Sequence, residues 1–451
     1  MTAPAIVPGR RNLVVGLGRT GYSCADYLSR HGELFAVTDS RVDPPELARF
    51  MARWPAAPRY LGLFDPALAA QYARLVLSPG VSRDEPLVQA ALAHGIPIVG
   101  DVEMFARVKR APAVGITGTN GKSTVTALVA AMAQAAGRAA RAGGNFGDCV
   151  LDMLEPEEPE LYVLELSSFQ LESTESLELA AATVLNVAPD HLDRYRSLAE
   201  YAAAKARIFR HARAMVVNVD DPLVSGMTPA GARVSGFSPS GGRAEWTLIK
   251  AGSEEYLARG GGTAPEPLLS TRRLRLAGRH NAGNALAALA VGAAIELPLP
   301  VMLSALESFT GLPHRTECVA ERRGVRYLDD SKGTNVAATV AAVAGLPGPI
   351  VLLAGGLGKG QDFSPLAAAL RNKARHAVLI GRDAPIIAEA LRTTCPVEFA
   401  GDMPAAVAAA ARVARSGDLV LLSPACASQD MFRDYAERGT AFAAAARALP
   451  A

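Results

Sequence analysis

The chain has 451 residues, of which 50% are hydrophobic and 20% are charged, and its formal net charge at pH 7 is +2. One hydrophobic core rarely serves a chain of this length, so we expect about three domains, and the composition excludes a disordered protein. Because the charge is nearly balanced and no polybasic block occurs, neither nucleic acid nor an anionic membrane is an expected partner.

The cysteines and the N-terminal residues indicate a cytoplasmic protein. Five cysteines are scattered without zinc-type or redox-type spacing, and their odd number fits a reducing compartment. Residues 1–12 contain no signal-type apolar core, and the longest apolar run, near residues 285–295, is about half of a membrane span. We therefore expect cytoplasmic localisation without a membrane segment, and a monomer because no feature demands an oligomer.

The first predicted element is a strand that runs into a glycine-rich turn and a helix. Gly16, Gly18 and Gly21 form a GxGxxG pattern after the apolar residues 13–15. The next predicted strand, residues 34–38, ends in Asp39, where a dinucleotide-binding fold places its ribose-binding acid. Taken alone, the pattern indicates NAD. The same turn also accommodates the diphosphate of a uridine nucleotide, or it is simply a tight turn.

A phosphate-binding loop opens the second predicted unit. The apolar residues 113–116 lead into GTNGKST at residues 118–124, and apolar residues at helical spacing follow. Backbone N–H groups of such a loop and the helix N-terminus bind phosphate, so we expect Lys122 at the β- and γ-phosphates of ATP and Ser123 at Mg²⁺. Ile116 stands where the full P-loop pattern has glycine, which makes this loop a shortened variant.

Two later strands of the same unit end in candidate metal ligands. Residues 161–164 form an apolar strand that ends in Glu165, as in a Walker-B arrangement, where the carboxylate reaches Mg²⁺. The next predicted strand, residues 183–187, is followed by Asp190 and His191. We therefore expect these side chains beside the phosphate loop.

Three further features of this unit remain open from the residues alone. Lys205 lies among alanines in a predicted helix, so it is either a surface lysine, which composition favours, or a desolvated, reactive amine. Asn281 and Asn284 share a helix face, where they cap the helix or bind the edge of an adenine. Residues 235–275 are predicted to form a peripheral antiparallel patch without chemistry.

The last part of the chain is predicted to be a third α/β unit, because apolar strands near residues 327–329, 350–354, 376–380 and 418–422 alternate with helices. Its loops carry donors suited to anionic oxygens, namely Lys332, Thr334, Lys359 and Ser428. Arg315 and Asp330 are placed to bracket a nucleotide from the far side.

Five motifs together resemble the Mur ligases, and the resemblance covers nearly the whole chain. The motifs are LELSSFQLE at residues 164–172, DHLDRY at 190–195, GLPHR at 311–315, DSKGTN at 330–335 and SPACAS at 423–428. Among these ligases the chain is similar to those that add D-glutamate. The resemblance implies ATP-dependent ligation of D-glutamate to UDP-N-acetylmuramoyl-L-alanine through an acyl phosphate, in cytoplasmic peptidoglycan synthesis. The alternative is a sister ligase with another acceptor, such as L-glutamate.

The resemblance also implies a fold and a separate role for each domain. It predicts a Rossmann-like UDP-substrate domain at residues 1–100, a central P-loop ATPase-like α/β domain with a mainly parallel sheet at 101–311, and a Rossmann-like C-terminal domain at 312–451 that contributes ATP and D-glutamate contacts. Two rival classes, an NAD-dependent dehydrogenase and a P-loop ATPase without an acceptor, each leave part of the chain unexplained.

The family's functional residues carry over to many positions of this sequence. The expected UDP-substrate residues are Arg19, Thr20, Asp39, Ser40, Arg41, Gly80 and Asn145. The expected ATP residues are Gly118, Thr119, Asn120, Gly121, Lys122, Ser123, Thr124, Asn281, Asn284, Arg315 and Asp330. The expected D-glutamate residues are Lys332, Thr334, Lys359, Ser428 and Tyr435.

The catalytic group implied by the resemblance is Lys122, Glu165, His191 and Lys205. Lys205 matches a lysine that the family carbamylates with CO₂, and its carbamate would hold Mg²⁺ together with Ser123, Glu165 and His191. This implication replaces the surface-lysine interpretation. The chain departs from the family pattern at Tyr435, where phenylalanine is more usual, and at Gly333, where alanine is more usual.

Overall fold

The computed structural model describes residues 11–154, 157–229, 231–260, 264–276 and 278–450. Residues 1–10, which carry most of the stretch in which no signal-type core was expected, lie outside the described part of the chain. Among the described residues, no helix combines the length and the apolar character needed to cross a bilayer.

The first unit is a five-stranded sheet with helices on its faces. Its elements are β1 (Asn12–Val15), α1 (Arg19–Arg30), β2 (Phe35–Asp39), α2 (Leu47–Arg53), β3 (Arg59–Leu61), β4 (Arg74–Leu77), α3 (Pro86–Ala93) and β5 (Ile98–Val99). The strand order is β3-β2-β1-β4-β5 and every pair is parallel. All residues of β1, β2 and β4 are buried, as in sheets covered on both faces. The order reverses beside β1, which places the GxGxxG turn where such sheets bind ligands.

The second unit is built on a nine-stranded sheet and is connected to the first by α4 (Asp101–Ala106). Its elements are β6 (Ala113–Thr117), α5 (Lys122–Ala135), β7 (Ala140–Gly144), β8 (Leu161–Glu165), α6 (Ser168–Glu172), β9 (Ala181–Val184), α7 (Leu198–Ala206), β10 (Met215–Asn218), α8 (Pro222–Ser225), β11 (Val234–Ser238), β12 (Trp246–Ala251), β13 (Glu254–Arg259), β14 (Glu266–Ser270), α9 (Arg279–Ala294) and α10 (Leu299–Ser308).

The order of this sheet brings the predicted site together. The strands run β14-β13-β12-β11-β10-β9-β6-β8-β7, and the pairs from β7 to β12 are all parallel. The phosphate loop follows β6, which lies between β8 and β9. Because parallel strands end at the same edge, the loop, Glu165 and the segment after β9 become neighbours.

The expectation of a separate antiparallel patch at residues 235–275 is wrong in one respect. β11 and β12 continue the parallel sheet, and only the β12-β13 and β13-β14 pairs are antiparallel. Trp246, Leu248 and Leu257 are buried in the same hydrophobic core as α5 and α9. These strands extend the central sheet because their alternating apolar side chains are covered by helices of the same unit.

The third unit has a six-stranded sheet. Its elements are β15 (Glu317–Arg322), β16 (Val325–Asp329), α11 (Val336–Gly345), β17 (Ile350–Gly355), α12 (Ser364–Leu370), β18 (Ala374–Ile380), α13 (Ala384–Leu391), β19 (Val397–Phe399), α14 (Met403–Val413), β20 (Leu419–Leu422) and α15 (Tyr435–Ala448). The order is β15-β16-β20-β17-β18-β19, with β15 antiparallel and the other pairs parallel. Short 3₁₀ helices occur at Pro66–Gln71, Asp152–Leu154, Arg207–Phe209 and Thr271–Arg273. The predicted architecture of three α/β units with mainly parallel sheets is confirmed.

Candidate active site

The predicted phosphate loop lies between the buried strand β6 and the N-terminus of α5. Gly118 and Gly121 have positive φ angles of 151° and 85°. A Cβ atom at Gly121 would lie 2.4 Å from Oδ1 of Asn284, so only glycine fits there. Lys122 Nζ donates hydrogen bonds to the carbonyl oxygens of Gly118 and Thr119 at 2.9 and 2.8 Å. The lysine is thus folded over the loop, and burial lowers its pKa.

Glu165 is held at the carboxyl end of β8 beside this loop. Its side chain is buried, with 1% of the residue exposed. Ser123 Oγ donates to one carboxylate oxygen, and Asn145 Nδ2 donates to the other at 2.7 Å. Arg315, from the third unit, donates to Ser123 Oγ at 2.6 Å. Glu165 from the end of β8 and Arg315 from the third unit therefore meet at Ser123.

His191 follows β9 in a left-handed backbone conformation, with φ of 54°. Its Nε2 lies 3.8 Å from Oδ2 of Asp190, which also accepts a hydrogen bond from Asn335 Nδ2 at 3.1 Å. Lys359 Nζ lies 3.7 Å from the other oxygen of Asp190. Burial lowers the pKa of His191 to about 4, so its imidazole is neutral at pH 7 and can act as a metal ligand.

Lys205 is a buried cation beside the same loop. It is 1% exposed, its Nζ donates to the Gly118 carbonyl oxygen at 2.9 Å, and the same nitrogen lies 4.4 Å from the centre of the Tyr201 ring. Burial and the charge of Lys122 lower the pKa of its amine well below the usual value. The surface-lysine interpretation that composition favoured is therefore wrong. Alanines surround Lys205 because this side of α7 faces the interior.

These groups line one cavity of about 250 Å³, which we call the middle cavity. Predicted residues that line it are Thr119, Asn120, Gly121, Lys122, Ser123, Asn145, Glu165, Asp190, His191, Lys205, Arg315, Lys332, Thr334 and Lys359. Residues that sequence reasoning missed are Ser167, Ser168, Phe169, Tyr201 and Asn335. Four of these five lie within the motifs quoted above, and Tyr201 lies one turn from Lys205 on the same helix, which is the signal that could have found them.

A second cavity, of about 360 Å³, extends from the phosphate loop toward α9 and α11, and we call it the nucleotide cavity. Of the predicted ATP residues, those lining it are Asn120, Gly121, Thr124, Asn281, Asn284, Arg315 and Asp330. Asn284 Nδ2 donates to Asn281 Oδ1 at 3.1 Å, and α9 begins after Gly278 without a side-chain cap. Both amides line the nucleotide cavity, and their binding to the edge of an adenine stays a prediction.

The nucleotide cavity has further lining residues that the sequence did not reveal. Phe237 and Pro239, at the end of β11, belong to the segment predicted to have no chemistry, and they line this cavity with His280. Asp330 accepts a hydrogen bond from Ser423 Oγ at 2.7 Å, and burial raises its pKa to about 6.

A third cavity, of about 550 Å³, lies at the GxGxxG turn, and we call it the first-unit cavity. All the predicted UDP-substrate residues line it, namely Arg19, Thr20, Asp39, Ser40, Arg41, Gly80 and Asn145. A Cβ at Gly21 would lie 1.9 Å from the carbonyl oxygen of Gly16, which explains the glycine at that position.

Asp39 serves to hold Arg41 at this cavity. Its carboxylate accepts hydrogen bonds from the Leu17 N–H at 2.7 Å and from Arg41 Nε and Nη2 at 2.8 Å each. Burial would raise the pKa of Asp39, but the bonds from Arg41 and the backbone outweigh it and the pKa is lowered. The ionised acid therefore presents a guanidinium to the cavity, which suits a phosphate group better than a ribose hydroxyl.

The residues predicted to contact D-glutamate divide into two groups. Lys332, Thr334 and Lys359 line the middle cavity. Lys332 Nζ lies 3.8 Å from the Tyr435 ring centre, and burial lowers the pKa of this lysine to about 8. Ser428 is buried, and neither it nor Tyr435 lines the middle cavity. All five glutamate contacts stay predictions.

The three cavities adjoin one another. Asn145 lines both the first-unit cavity and the middle cavity. Asn120, Gly121, Arg315 and Lys332 line both the middle cavity and the nucleotide cavity. Groups bound in the outer two cavities would thus meet beside Lys122 and Glu165.

Family models match the chain in three consecutive parts. The Mur ligase MurD-like N-terminal domain matches residues 10–100, the Mur ligase middle domain matches 116–292, and the Mur ligase glutamate ligase domain matches 314–426. Among solved structures, the UDP-N-acetylmuramate-alanine ligase MurC of Thermotoga maritima has a TM-score of 0.62 at 20% identity and covers 96% of this chain and 98% of its own. MurF ligase from the same organism, in complex with ADP, has a TM-score of 0.61 at 16% identity and covers 97% of each chain. At these identities the similarity concerns the fold.

Curated relatives are much more similar in sequence. UDP-N-acetylmuramoylalanine–D-glutamate ligase of Nitrosococcus oceani is 51% identical over 441 residues, which are 97% of this chain and 96% of the relative. The proteins of the same name from Marinobacter nauticus and Pseudomonas aeruginosa are 48% and 47% identical, each over 97% of this chain and 98% of the relative. On the family models and these identities together, the chain belongs to the Mur ligase family.

Proposed function

We propose that this Mur ligase uses ATP to join the amine of D-glutamate to the terminal carboxylate of UDP-N-acetylmuramoyl-L-alanine, a cytoplasmic step of peptidoglycan precursor synthesis. The relatives that are 46–51% identical carry the name of a D-glutamate ligase, and none of the named relatives favours a sister ligase with another acceptor. We assign UDP-substrate binding to residues 1–100, ATP binding to 101–311, and further ATP and D-glutamate contacts to 312–451.

The observation that carries this proposal is the middle cavity. It combines the phosphate loop and Glu165 of the second unit with Lys332, Thr334 and Lys359 of the third. It also shares residues with the cavities that we assign to the UDP substrate and to ATP. A ligase needs this arrangement because its carboxylate, its phosphoryl donor and its amine must meet at one point, whereas an ATPase without an acceptor does not.

The reaction requires activation of a carboxylate that has no leaving group. A carboxylate oxygen of the substrate attacks the γ-phosphorus of ATP, the bond to the ADP oxygen breaks, and an acyl phosphate forms. The glutamate amine then attacks the acyl carbon, loses a proton, and expels inorganic phosphate from a tetrahedral intermediate. Lys122 and the loop N–H groups stabilise charge on the phosphoryl oxygens, which is an electrostatic and positioning effect. Lys332 and Lys359 are placed to bind the carboxylates of glutamate.

The chemistry of the donor set fits Mg²⁺. Ser123 and Glu165 offer the hard oxygen ligands that this ion takes, and His191 offers a neutral nitrogen because burial lowers its pKa to about 4. When bound, Mg²⁺ would neutralise phosphate charge. The other groups of the cavity orient the substrates around it and exclude water, which would hydrolyse the acyl phosphate.

Lys205 is suited to carbamylation by CO₂. Its lowered pKa makes the neutral amine accessible, and the amine nitrogen can form a bond to the carbon of CO₂ with release of one proton. The product carboxylate would replace a cation with an anion close to Ser123 and Glu165. We propose that this carbamate completes the metal-binding set.

An isotope experiment tests the proposed reaction. The substrate is labelled with oxygen-18 in its terminal carboxylate and incubated with ATP and D-glutamate, and the released phosphate is analysed by mass spectrometry. We expect one labelled oxygen per phosphate, because the attacking carboxylate oxygen leaves with the phosphoryl group. Unlabelled phosphate accompanied by amide product would refute the acyl phosphate, and turnover with L-glutamate but not D-glutamate would refute the acceptor.

A matched pair of variants tests the role of Lys205. Lys205→Ala should abolish ligation while the affinity for the UDP substrate is kept, and Lys250→Ala, which changes an exposed lysine, should behave as the unmodified protein. Carbon-13 NMR with labelled bicarbonate should detect a carbamate in the unmodified protein and none in Lys205→Ala. Full turnover by Lys205→Ala would exclude the metal-binding carbamate.

A further inference from the structure

Arg438 is a buried cation in the first turn of α15 that the proposed reaction does not use. It is 1% exposed, and it is one of the largest fully buried side chains among the described residues. Its guanidinium donates to Ser331 Oγ at 3.0 Å, to the Ser331 carbonyl oxygen at 2.8 Å and to the Cys426 carbonyl oxygen at 3.1 Å. All of these acceptors are uncharged. Burying a cation on neutral acceptors is costly, so an apolar side chain would serve packing alone at lower cost.

The acceptors of Arg438 belong to segments that carry predicted glutamate residues. Ser331 directly precedes Lys332 in the loop after β16. Cys426 lies in the loop after β20, close to Ser428 in sequence. Ser331 Oγ donates in turn to the carbonyl oxygen of Tyr435, the first residue of α15, at 2.8 Å. One side chain thus ties together the three segments that hold Lys332, Ser428 and Tyr435.

The neighbouring residue gives independent evidence that this end of α15 has a fixed position. A Cβ atom at Gly439 would lie 2.2 Å from Nδ1 of His314 and 2.6 Å from Oδ2 of Asp329. Tyr435 lies on the same side of the helix, and its ring contacts both His314 and Lys332. The first turns of α15 therefore pack closely on His314 and Asp329, and Arg438 bonds this end of the helix to the two loops.

We infer that Arg438 is a positioning residue for the acceptor amino acid, because it fixes the distances between the loops of Lys332 and Ser428 and the start of α15. This inference rests on the proposed function. Its buried positive charge also makes the potential at these loops more favourable for a dicarboxylate. The first-unit cavity includes no residue of the two loops, so binding of the UDP substrate should depend little on Arg438. The nucleotide cavity is lined by Asp330, Lys332 and Gly333, which flank Ser331, so KM for ATP does not serve as a reference.

Steady-state kinetics of Arg438→Met and Arg438→Lys test the inference. A buried hydrogen bond from a charged group contributes enough that we expect KM for D-glutamate to rise at least roughly tenfold in Arg438→Met. KM for the UDP substrate should stay within about twofold, because the first-unit cavity lies away from these loops. Arg438→Lys keeps the charge and some of the donors, so its KM for D-glutamate should be intermediate.

Arg447→Met is the matched control, because Arg447 is an exposed arginine on the same helix. Its three KM values should equal those of the unmodified protein. The inference is overturned if KM for D-glutamate is unchanged in both Arg438 variants, or if KM for the UDP substrate rises as much as KM for D-glutamate. If Arg438→Met does not fold, the ratio of KM values in Arg438→Lys decides by the same criterion. An unmodified protein that does not turn over D-glutamate would instead refute the proposed function.

Discussion

Replacing Asp101 by asparagine should stabilise the protein at neutral pH but not in acid. Asp101 is the first residue of α4, which connects the first two units, and 1% of it is exposed. Oδ2 accepts a hydrogen bond from Gln170 Nε2 at 3.2 Å. Oδ1 has no partner among the described residues. Burial raises the pKa of this carboxyl from its ordinary 3.8 to about 6, although the bonds from Gln170 and the backbone oppose the rise.

The size of the effect follows from this shift. A rise of about two pKa units corresponds to roughly 3 kcal/mol at 1.36 kcal/mol per unit. The folded state binds the proton more tightly than the unfolded state. Below pH 3.8 the carboxyl is protonated in both states, so it causes no penalty, that is, no loss in the free energy of unfolding. The penalty grows as the pH rises toward 6 and is complete above it. Asparagine has the shape of the protonated acid and stays neutral.

Urea unfolding of the unmodified protein and of Asp101→Asn from pH 4.5 to pH 8 measures this difference. The variant should gain up to about 3 kcal/mol relative to the unmodified protein as the pH rises, and this is an upper bound because water can enter the partly unfolded interface. Asp43→Asn, which removes an exposed carboxylate from the same unit, controls for net charge. If the free energy of unfolding of Asp101→Asn and that of the unmodified protein change in parallel with pH, the argument from burial is refuted.

Three further outcomes follow from the site. Glu165→Gln should lower kcat by about 10²-fold or more, because a neutral amide cannot hold a cation beside Ser123, and a kcat within threefold of the unmodified value would contradict this. Since burial lowers the pKa of His191 to about 4, its ring carbon NMR signal should not titrate between pH 8 and pH 5.5, and a midpoint near 6.5 would contradict the burial. Gly439→Ala should destabilise the third unit by about 1–3 kcal/mol in urea unfolding, because its Cβ would overlap His314, and an unchanged midpoint would contradict the close packing.

The sequence predicted the three α/β units because their strands are continuous apolar runs that end in polar loops. β6 and β8 are examples, and the residues that follow them in the chain meet at one edge of the sheet. The extent of the central sheet was not predictable in the same way. β11 to β14 are interrupted by glycine-rich turns, and β12, β13 and β14 carry charged residues, so their place in the sheet depends on helices that cover them from distant parts of the chain.

The candidate site was predictable where a motif placed the chemistry and less so elsewhere. Glu165 ends β8, and Lys122 begins α5 directly after the phosphate loop, so their neighbours could be inferred from spacing. Lys205 could not be distinguished from a surface lysine by its own surroundings in sequence, because its burial depends on the position of α7 beside the phosphate loop. Phe237 and His280 were missed for a related reason, because no local sequence pattern marks the residues that form the wall of a nucleotide cavity.

The continuity of the three cavities has a consequence for inhibitor design. The middle cavity shares Asn145 with the first-unit cavity. It shares Asn120 and Arg315 with the nucleotide cavity. A fragment seated at the GxGxxG turn and another seated near α9 could be tethered through the middle cavity. With such a tether, the second fragment would bind intramolecularly once the first is bound. Two weakly binding fragments could then reach high avidity if the linker passes Lys122 without strain.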